Sequence, residues 1–432
     1  MDTYCLSGGL VLTPELDVMS ANVVVDRDSG TIESVSPDAS APEMIDISGC
    51  LVTPGLVNGH CHGAMTLLRG YADDKPLDAW LREDIWPVEA ELTPEDIRVG
   101  TELAAVEMIR SGVTAFADMY FAVDEVASVV DTAGLRARLG HGVVTVAKNE
   151  ADAWDDLEES FDVAASLSGR ADGRIQTAVM PHSLTTVGEA YLQAVADWLS
   201  EADAEIGLHL HANETTDEVA PIVTERNMRP IEYASELGLL GENTFLAHGV
   251  HLDATEIELL AETDTRVVHC PASNMKLASG IAPIQELIDA GVTVGLGTDG
   301  AASNNDLDVF DEMRDAAMIG KLANGNAEAV TAASAVRMAT SWGAEAIGLP
   351  GGQLREGGVA DLAVIDFDAP HLTPAHDYVS HLAYAARGSD VRHTICDGQF
   401  LMQDGALQTL AEASILDEAA DAAVSLVDRA TN

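Results

Sequence analysis

Positive charge is scarce in this 432-residue sequence: 22 Lys+Arg stand against 72 Asp+Glu, a formal net charge of −50. Only four bases are lysines, Lys75, Lys148, Lys276 and Lys321. Such a surface repels phosphate backbones and anionic lipid, which excludes a nucleic-acid polymer as partner and docking on an anionic membrane. Cysteine is sparse too. Cys5, Cys50, Cys61, Cys270 and Cys396 are odd in number, widely spaced and free of any C-x-x-C pair. That argues against a disulfide framework or a cysteine-built zinc site and fits a reducing compartment. Long apolar runs are missing, with no window reaching the ~18 residues that a membrane span needs. The N-terminal MDTYCLSGGLVLTPELDV lacks the basic segment and apolar core of a secretory signal.

What is present is apolar mass: 47% hydrophobic residues and 36 glycines are enough for a large packed core and exclude a disordered chain. The acids are scattered rather than gathered in a tail. This fits a surface made for strong salt, where a Debye length of about 3 Å at 1 M screens self-repulsion. The expected location is a high-salt cytoplasm, the alternative being a merely acidic mesophilic surface.

The length suits one barrel-sized domain and a smaller one. Short β-type runs punctuated by Gly, Asp, Ser and Pro fill residues 1–50, and the texture returns after residue 350 in GGVADLAVIDFD and VRHTICDGQFLMQDG. A composite small β-sandwich domain is therefore expected from residues 1–53 plus 350–432, ending in an amphipathic helical tail. Between them, residues 54–349 hold eight apolar runs, at 51–62, 113–120, 136–144, 175–183, 205–214, 244–252, 266–274 and 293–300. Helical stretches lie between most of them, the order and size of an α/β (β/α)8 barrel. A doubly wound sheet is the competing architecture, but no run is followed by G-x-G-x-x-G or a Walker loop.

Barrel enzymes carry their chemistry at the C-terminal ends of the strands. Here those ends hold His60 and His62, His182, His211 with Glu214, His248, and Asp299. One strand-end histidine is an ordinary hydrogen-bonding residue; five ends bearing His or Asp point to a metal site. His60 and His62 are two apart and share a face, as do His209 and His211. His211 lies nearer the open end and is the third candidate ligand, which leaves His209 one layer deeper. With Asp299 these donors suit one divalent metal, Zn2+ foremost with Fe2+ as the alternative, and an open position for water. Glu214 stands where it can shuttle a proton, its alternative reading being a helix-initiating acid. His248 can orient or deprotonate the water. His251 reads as a loop histidine, and His269, before Pro271, as support behind the site.

These residues resemble the amidohydrolase superfamily, and within it the deaminases of adenosine-type nucleosides. The resemblance covers nearly the whole chain and rests on PGLVNGHCHGAMTLLRGYADD, HLHANET, AHGVHL, HCPASNMKLASG and GTDGAASNNDLD. It implies metal ligands His60, His62, His211 and Asp299, with no bridging carboxylated lysine and so one ion. It implies Glu214 as the acid/base at the purine ring nitrogen, His248 holding the attacking hydroxide, and Asp299 also serving in proton transfer. Glu89 would bind the ribose hydroxyls and His182 would contact substrate.

The implied reaction is hydrolytic deamination of 5′-methylthioadenosine, S-adenosylhomocysteine, 5′-deoxyadenosine or adenosine to the inosine analogue and ammonia. Some relatives place arginines after the third strand to hold a substrate carboxylate. Here RLGHGVVTVAKNE offers none after Arg138, which favours the shorter 5′ substituents. The segment HSLTT also departs from the proline-aromatic version of some relatives. The alternatives are another amidohydrolase (a guanine or other nucleobase deaminase, or a triazine-type hydrolase) and a non-catalytic barrel serving as a binding module. A cytidine-deaminase design is excluded, since H-x-E with P-C-x-x-C is absent. The expected partners are a small purine nucleoside and further copies of the chain, as a homodimer or homotetramer.

Overall fold

The computed structural model describes residues 2–203 and 205–431. Its centre is an eight-stranded parallel sheet: β1 (Leu56–Cys61), β2 (Val113–Tyr120), β3 (Arg136–Val143), β4 (Ile175–Pro181), β5 (Gly207–Ala212), β6 (Thr244–His248), β7 (Arg266–His269) and β8 (Val294–Leu296). Each strand pairs in parallel with the next, so the sheet runs in sequence order. Each of the eight runs read from the sequence contains one of these strands. Covered on both faces, they are buried almost throughout, as parallel strands between helices must be.

The sheet closes where β8 returns to β1. Asp299 donates its backbone N–H to the carbonyl of His60 at 3.0 Å. The approach leaves no room for a side chain at Gly297, whose Cβ would lie 2.8 Å from the His60 backbone nitrogen. Val57, Ala115, Ala117, Met119, Ala178, Met180, Phe245 and Val268 belong to one buried cluster that fills the strands' inner face. The barrel is thus a packed core with a site only at its rim.

The expected run over 51–62 is two strands rather than one. Cys50–Pro54 pairs antiparallel with Leu362–Asp366 in a seven-stranded sheet outside the barrel, and β1 begins after Gly55. A Cβ on Gly55 would meet Thr114 Oγ1 at 2.1 Å, so the crossing requires glycine. That second sheet and a four-stranded one, built from Thr3–Ser7, Asn22–Asp26, Thr31–Ser36 and Glu43–Asp46, share one core. It includes Tyr4, Leu6, Val23 and Val25 from one sheet and Val11, Val52, Leu362 and Ile395 from the other. Two sheets around a common apolar layer make a sandwich.

The two units are joined by Arg136 at the base of β3. Its guanidinium meets Asp361 at 2.9 Å, with both side chains almost completely buried, and reaches Asp397 at 3.2 Å. The helical tail, expected with the sandwich, lies instead against the barrel's helix Pro94–Arg110: Arg98 pairs with Glu418, Arg110 with Glu412 and Arg429 with Asp96. Its amphipathic period demanded a buried face without saying which surface would cover it. Among the described residues, no helix is long and apolar enough to cross a membrane.

Candidate active site

His60, His62 and His211 converge at the C-terminal rim, each offering a ring nitrogen within 4.8 Å of the others; His60, His248 and Asp299 form a second such group. Asp299 Oδ1 stands 3.5 Å from His60 Nε2 and 3.3 Å from His62 Nε2. Period-two alternation puts both β1 imidazoles on the lumen side, and β5 delivers His211 beside them, with ring centroids 4.8 Å from His60 and 5.4 Å from His62.

The hydrogen bonds behind these rings fix which nitrogen faces inward. His62 Nδ1 bonds the carbonyl of Met119 at 2.7 Å and His211 Nδ1 that of His182 at 2.8 Å. A carbonyl only accepts, so both Nδ1 atoms carry the proton, and in the neutral ring Nε2 presents a lone pair. His60 reaches the same state through another histidine. His209 Nδ1 donates to the Phe245 carbonyl at 2.8 Å, which leaves His209 Nε2 to accept from His60 Nδ1 at 2.8 Å. His60 Nε2 is then a buried lone pair with no hydrogen-bond partner among the described residues. A buried acceptor left bare in the middle of imidazoles and a carboxylate is what a divalent cation would satisfy, and the donor set suits zinc.

Electrostatics agree for the rings other than His62. Burial pushes the His60 imidazole down to about 4 and His182 to about 3, and drives His211 well below its ordinary value, so these rings stay neutral as ligation requires. For His62 burial also disfavours the cation, but the Asp299 carboxylate outweighs it and lifts that ring to about 9. Burial opposes the charge on Asp299 as well; its contacts with His60 and His62 prevail and hold it well below the usual carboxylate range. Asp299 Oδ2 accepts from Ser273 Oγ at 2.7 Å and Ser303 Oγ at 2.8 Å, and Oδ1 from the Gly300 N–H at 2.8 Å.

Glu214 and His248 flank the cluster. Glu214 precedes Thr215, the N-cap of helix Thr216–Arg226, whose first-turn acids are Asp217 and Glu218. Ser279 Oγ donates to Glu214 Oε1 at 3.4 Å, and His248 Nε2 lies 3.7 Å from Oε2. The reading of Glu214 as a helix-initiating acid therefore fails. Burial raises its carboxyl above the ordinary range despite the nearby imidazole, which favours the proton-bearing form a general acid needs. Its backbone is pinned from both sides. The Glu214 N–H donates to Glu218 Oε2 at 2.8 Å, while Asn213 donates to the fully buried Glu256 carboxylate at 3.1 and 3.0 Å. His248 has φ +75° and Asp299 φ +61°, left-handed conformations uncommon outside glycine that turn each side chain from strand end into site. His248 Nδ1 bonds Asn274 Oδ1 at 2.9 Å, which leaves Nε2 facing Glu214.

Two other expected residues border the cluster. His182 sits with its ring centroid 4.5 Å from that of His211 and its Nδ1 on Thr186 Oγ1 at 3.0 Å. Glu89 is half-buried on the helix Trp86–Glu89 and accepts from Tyr120 Oη at 2.8 Å. His251 is a loop histidine bonded to the Ser279 carbonyl at 2.8 Å. His269, expected as support, is buried, and neither of its ring nitrogens has a hydrogen-bond partner among the described residues. Tyr120, Ser273, Asn274, Ser279 and Ser303 escaped the sequence reading. Tyr120 alone had a usable signal, since it ends the run VTAFADMY as the histidines end theirs.

The amidohydrolase family profile matches residues 51–401. A protein of Natronomonas pharaonis named 5-methylthioadenosine/S-adenosylhomocysteine deaminase is 61% identical over 431 residues, covering 100% of this chain and 99% of its own. A Methanosarcina mazei protein named 5′-deoxyadenosine deaminase is 44% identical over 421 residues, 97% of each chain. Among solved structures, an adenosine deaminase from Xanthomonas campestris with bound zinc superposes with a TM-score of 0.93 at 36% identity, covering 98% of each chain.

Proposed function

The chain belongs to the amidohydrolase family, and we propose that it is a hydrolytic deaminase of adenosine-type nucleosides that holds one zinc ion on His60, His62, His211 and Asp299. The observation that carries this reading is the set of three Nε2 atoms turned inward around one carboxylate, with a buried general acid beside them. A divalent cation held there supplies a Lewis acid that brings the pKa of water to ~7.

The remaining steps belong to side chains. Glu214 Oε2 gives its proton to the ring nitrogen beside the attacked carbon, which draws negative charge away from that carbon. His248 Nε2, 3.7 Å from Glu214, orients the attacking water. Asp299 Oδ1 takes one proton from that water and passes it to the leaving amine, while the hydroxyl left on the carbon gives its proton back to Glu214 as the ring carbonyl forms, so the exocyclic amine leaves as ammonia. Glu89 and His182 bind the nucleoside. The 5′ substituent is of the short type. Arg138 donates to the carbonyls of Thr177, Glu205 and Gly348, and Lys148 pairs with Asp156 at 2.6 Å, so neither is free to hold a substrate carboxylate. The acidic composition supports operation in a high-salt cytoplasm.

A panel of adenosine, 5′-methylthioadenosine, 5′-deoxyadenosine, S-adenosylhomocysteine and free adenine, assayed in concentrated potassium chloride, tests the reading. Ammonia release from the nucleosides with about one ion per chain supports it. A stoichiometrically loaded protein that releases ammonia from none of them overturns it.

A further inference from the structure

Glu89 is carried by a short helix, Trp86–Glu89, outside the barrel wall, whereas Tyr120 is the last residue of β2 and is buried in that wall. Tyr120 Oη donates to Glu89 Oε1 at 2.8 Å, and Glu89 Oε2 makes no hydrogen bond among the described residues. The Tyr120 ring lies 6.2 Å from that of His62, centroid to centroid, so one side chain spans from the candidate ligand to the candidate ribose acid. We infer that Tyr120 is a positioning residue that aims the Glu89 carboxylate at a vicinal diol of the substrate and fixes its distance from the metal-binding histidines. This rests on the deaminase reading above.

The chemistry supports a fixed donor there. A carboxylate oxygen has two lone pairs, so Oε1 accepts the phenol's hydrogen bond and still accepts from a sugar hydroxyl, while Oε2 accepts from the neighbouring one. Burial, followed by the charge of Glu89, drives the Tyr120 phenol well above its ordinary value, so it remains a donor throughout the working range of pH. A free carboxylate at the end of the helical segment 77–89 would have to choose its rotamer anew with each substrate; the phenol orders it beforehand.

The test compares adenosine with its 2′,3′-dideoxy counterpart in the wild type, Tyr120→Phe and Glu89→Gln, with metal content and thermal midpoint recorded for each. Loss of a hydrogen bond to a charged group predicts a fall in kcat/KM for adenosine of about tenfold or more in Y120F, carried by KM. The dideoxy substrate should differ between wild type and Y120F by less than about twofold. An equal loss on both substrates, or no loss on either, overturns the inference. If Y120F folds poorly, Tyr120→Leu, which also lacks a donor, supplies the same comparison, and a loss that tracks thermal midpoint rather than the diol also overturns it. A wild type that shows no preference for the diol, with Glu89→Gln equally indifferent, would instead sink the reading of Glu89 itself.

Discussion

His209 accepts the Nδ1 proton of His60 at 2.8 Å, and through that bond the deepest candidate ligand presents its other nitrogen to the cluster. His209 in turn stacks on Phe245, ring centroids 4.1 Å apart and 12° from parallel, so the pair is anchored in the barrel core. Removing the acceptor should free His60 to rotate or change tautomer. His209→Phe is expected to weaken metal affinity by about 10–100-fold, the usual effect of losing such an outer partner. Chelator competition against the wild type measures it, and unchanged affinity would refute the relay.

Glu214→Gln should retain a full complement of metal, since its carboxylate is not among the clustered donors. Its turnover should fall about 10²–10⁴-fold, the range for a lost general acid. Metal analysis beside steady-state kinetics separates the two effects. A variant that lost its ion but kept activity per bound ion would reverse the assignment.

Arg136→Met should destabilise the fold by about 3–5 kcal/mol, because it strands the buried carboxylate of Asp361. Replacing both partners with apolar residues of similar volume should cost less. Denaturant titration of single and double variants at constant salt reads the difference; equal losses in both would show that the pair is not the cause.

His393 supplies a pH dependence away from the site. It is fully buried, its Nδ1 accepts the Asp404 N–H at 3.2 Å, and burial pushes the ring down to about 4. The folded state therefore resists a proton that the unfolded chain takes up near 6.5. Its contribution is complete above that value and is lost as pH falls from about 6.5 toward 4. Unfolding free energy measured across that window should decline less steeply in His393→Gln than in the wild type.

Much of the site was legible because it obeys short-range rules. H-x-H on a strand sends two imidazoles to one face whatever the fold, and strand-end position alone nominated His182, His211, His248 and Asp299. Ser273, on the short helix Pro271–Lys276, and Ser303, in the turn after β8, hold Asp299 Oδ2; their relative placement depends on the whole barrel, so no local pattern announced them. The division of one apolar run at Gly55 was hidden for a similar reason. Both halves are equally apolar, and the clash with Thr114 that demands glycine exists only after folding. The tail 412–431 was readable as a helix with one apolar face but not as a partner of helix Pro94–Arg110, because amphipathicity encodes a face and not its neighbour.

The bond from the Asp299 amide to the His60 carbonyl joins the first and last of the candidate donors across the seam. A chain emerging from the ribosome holds three imidazoles long before it owns the carboxylate, and those three have no ring to sit on until the eighth strand docks. Full coordination would thus report that the cylinder has shut, and an ion bound there would fasten the beginning of the barrel to its end like a clasp.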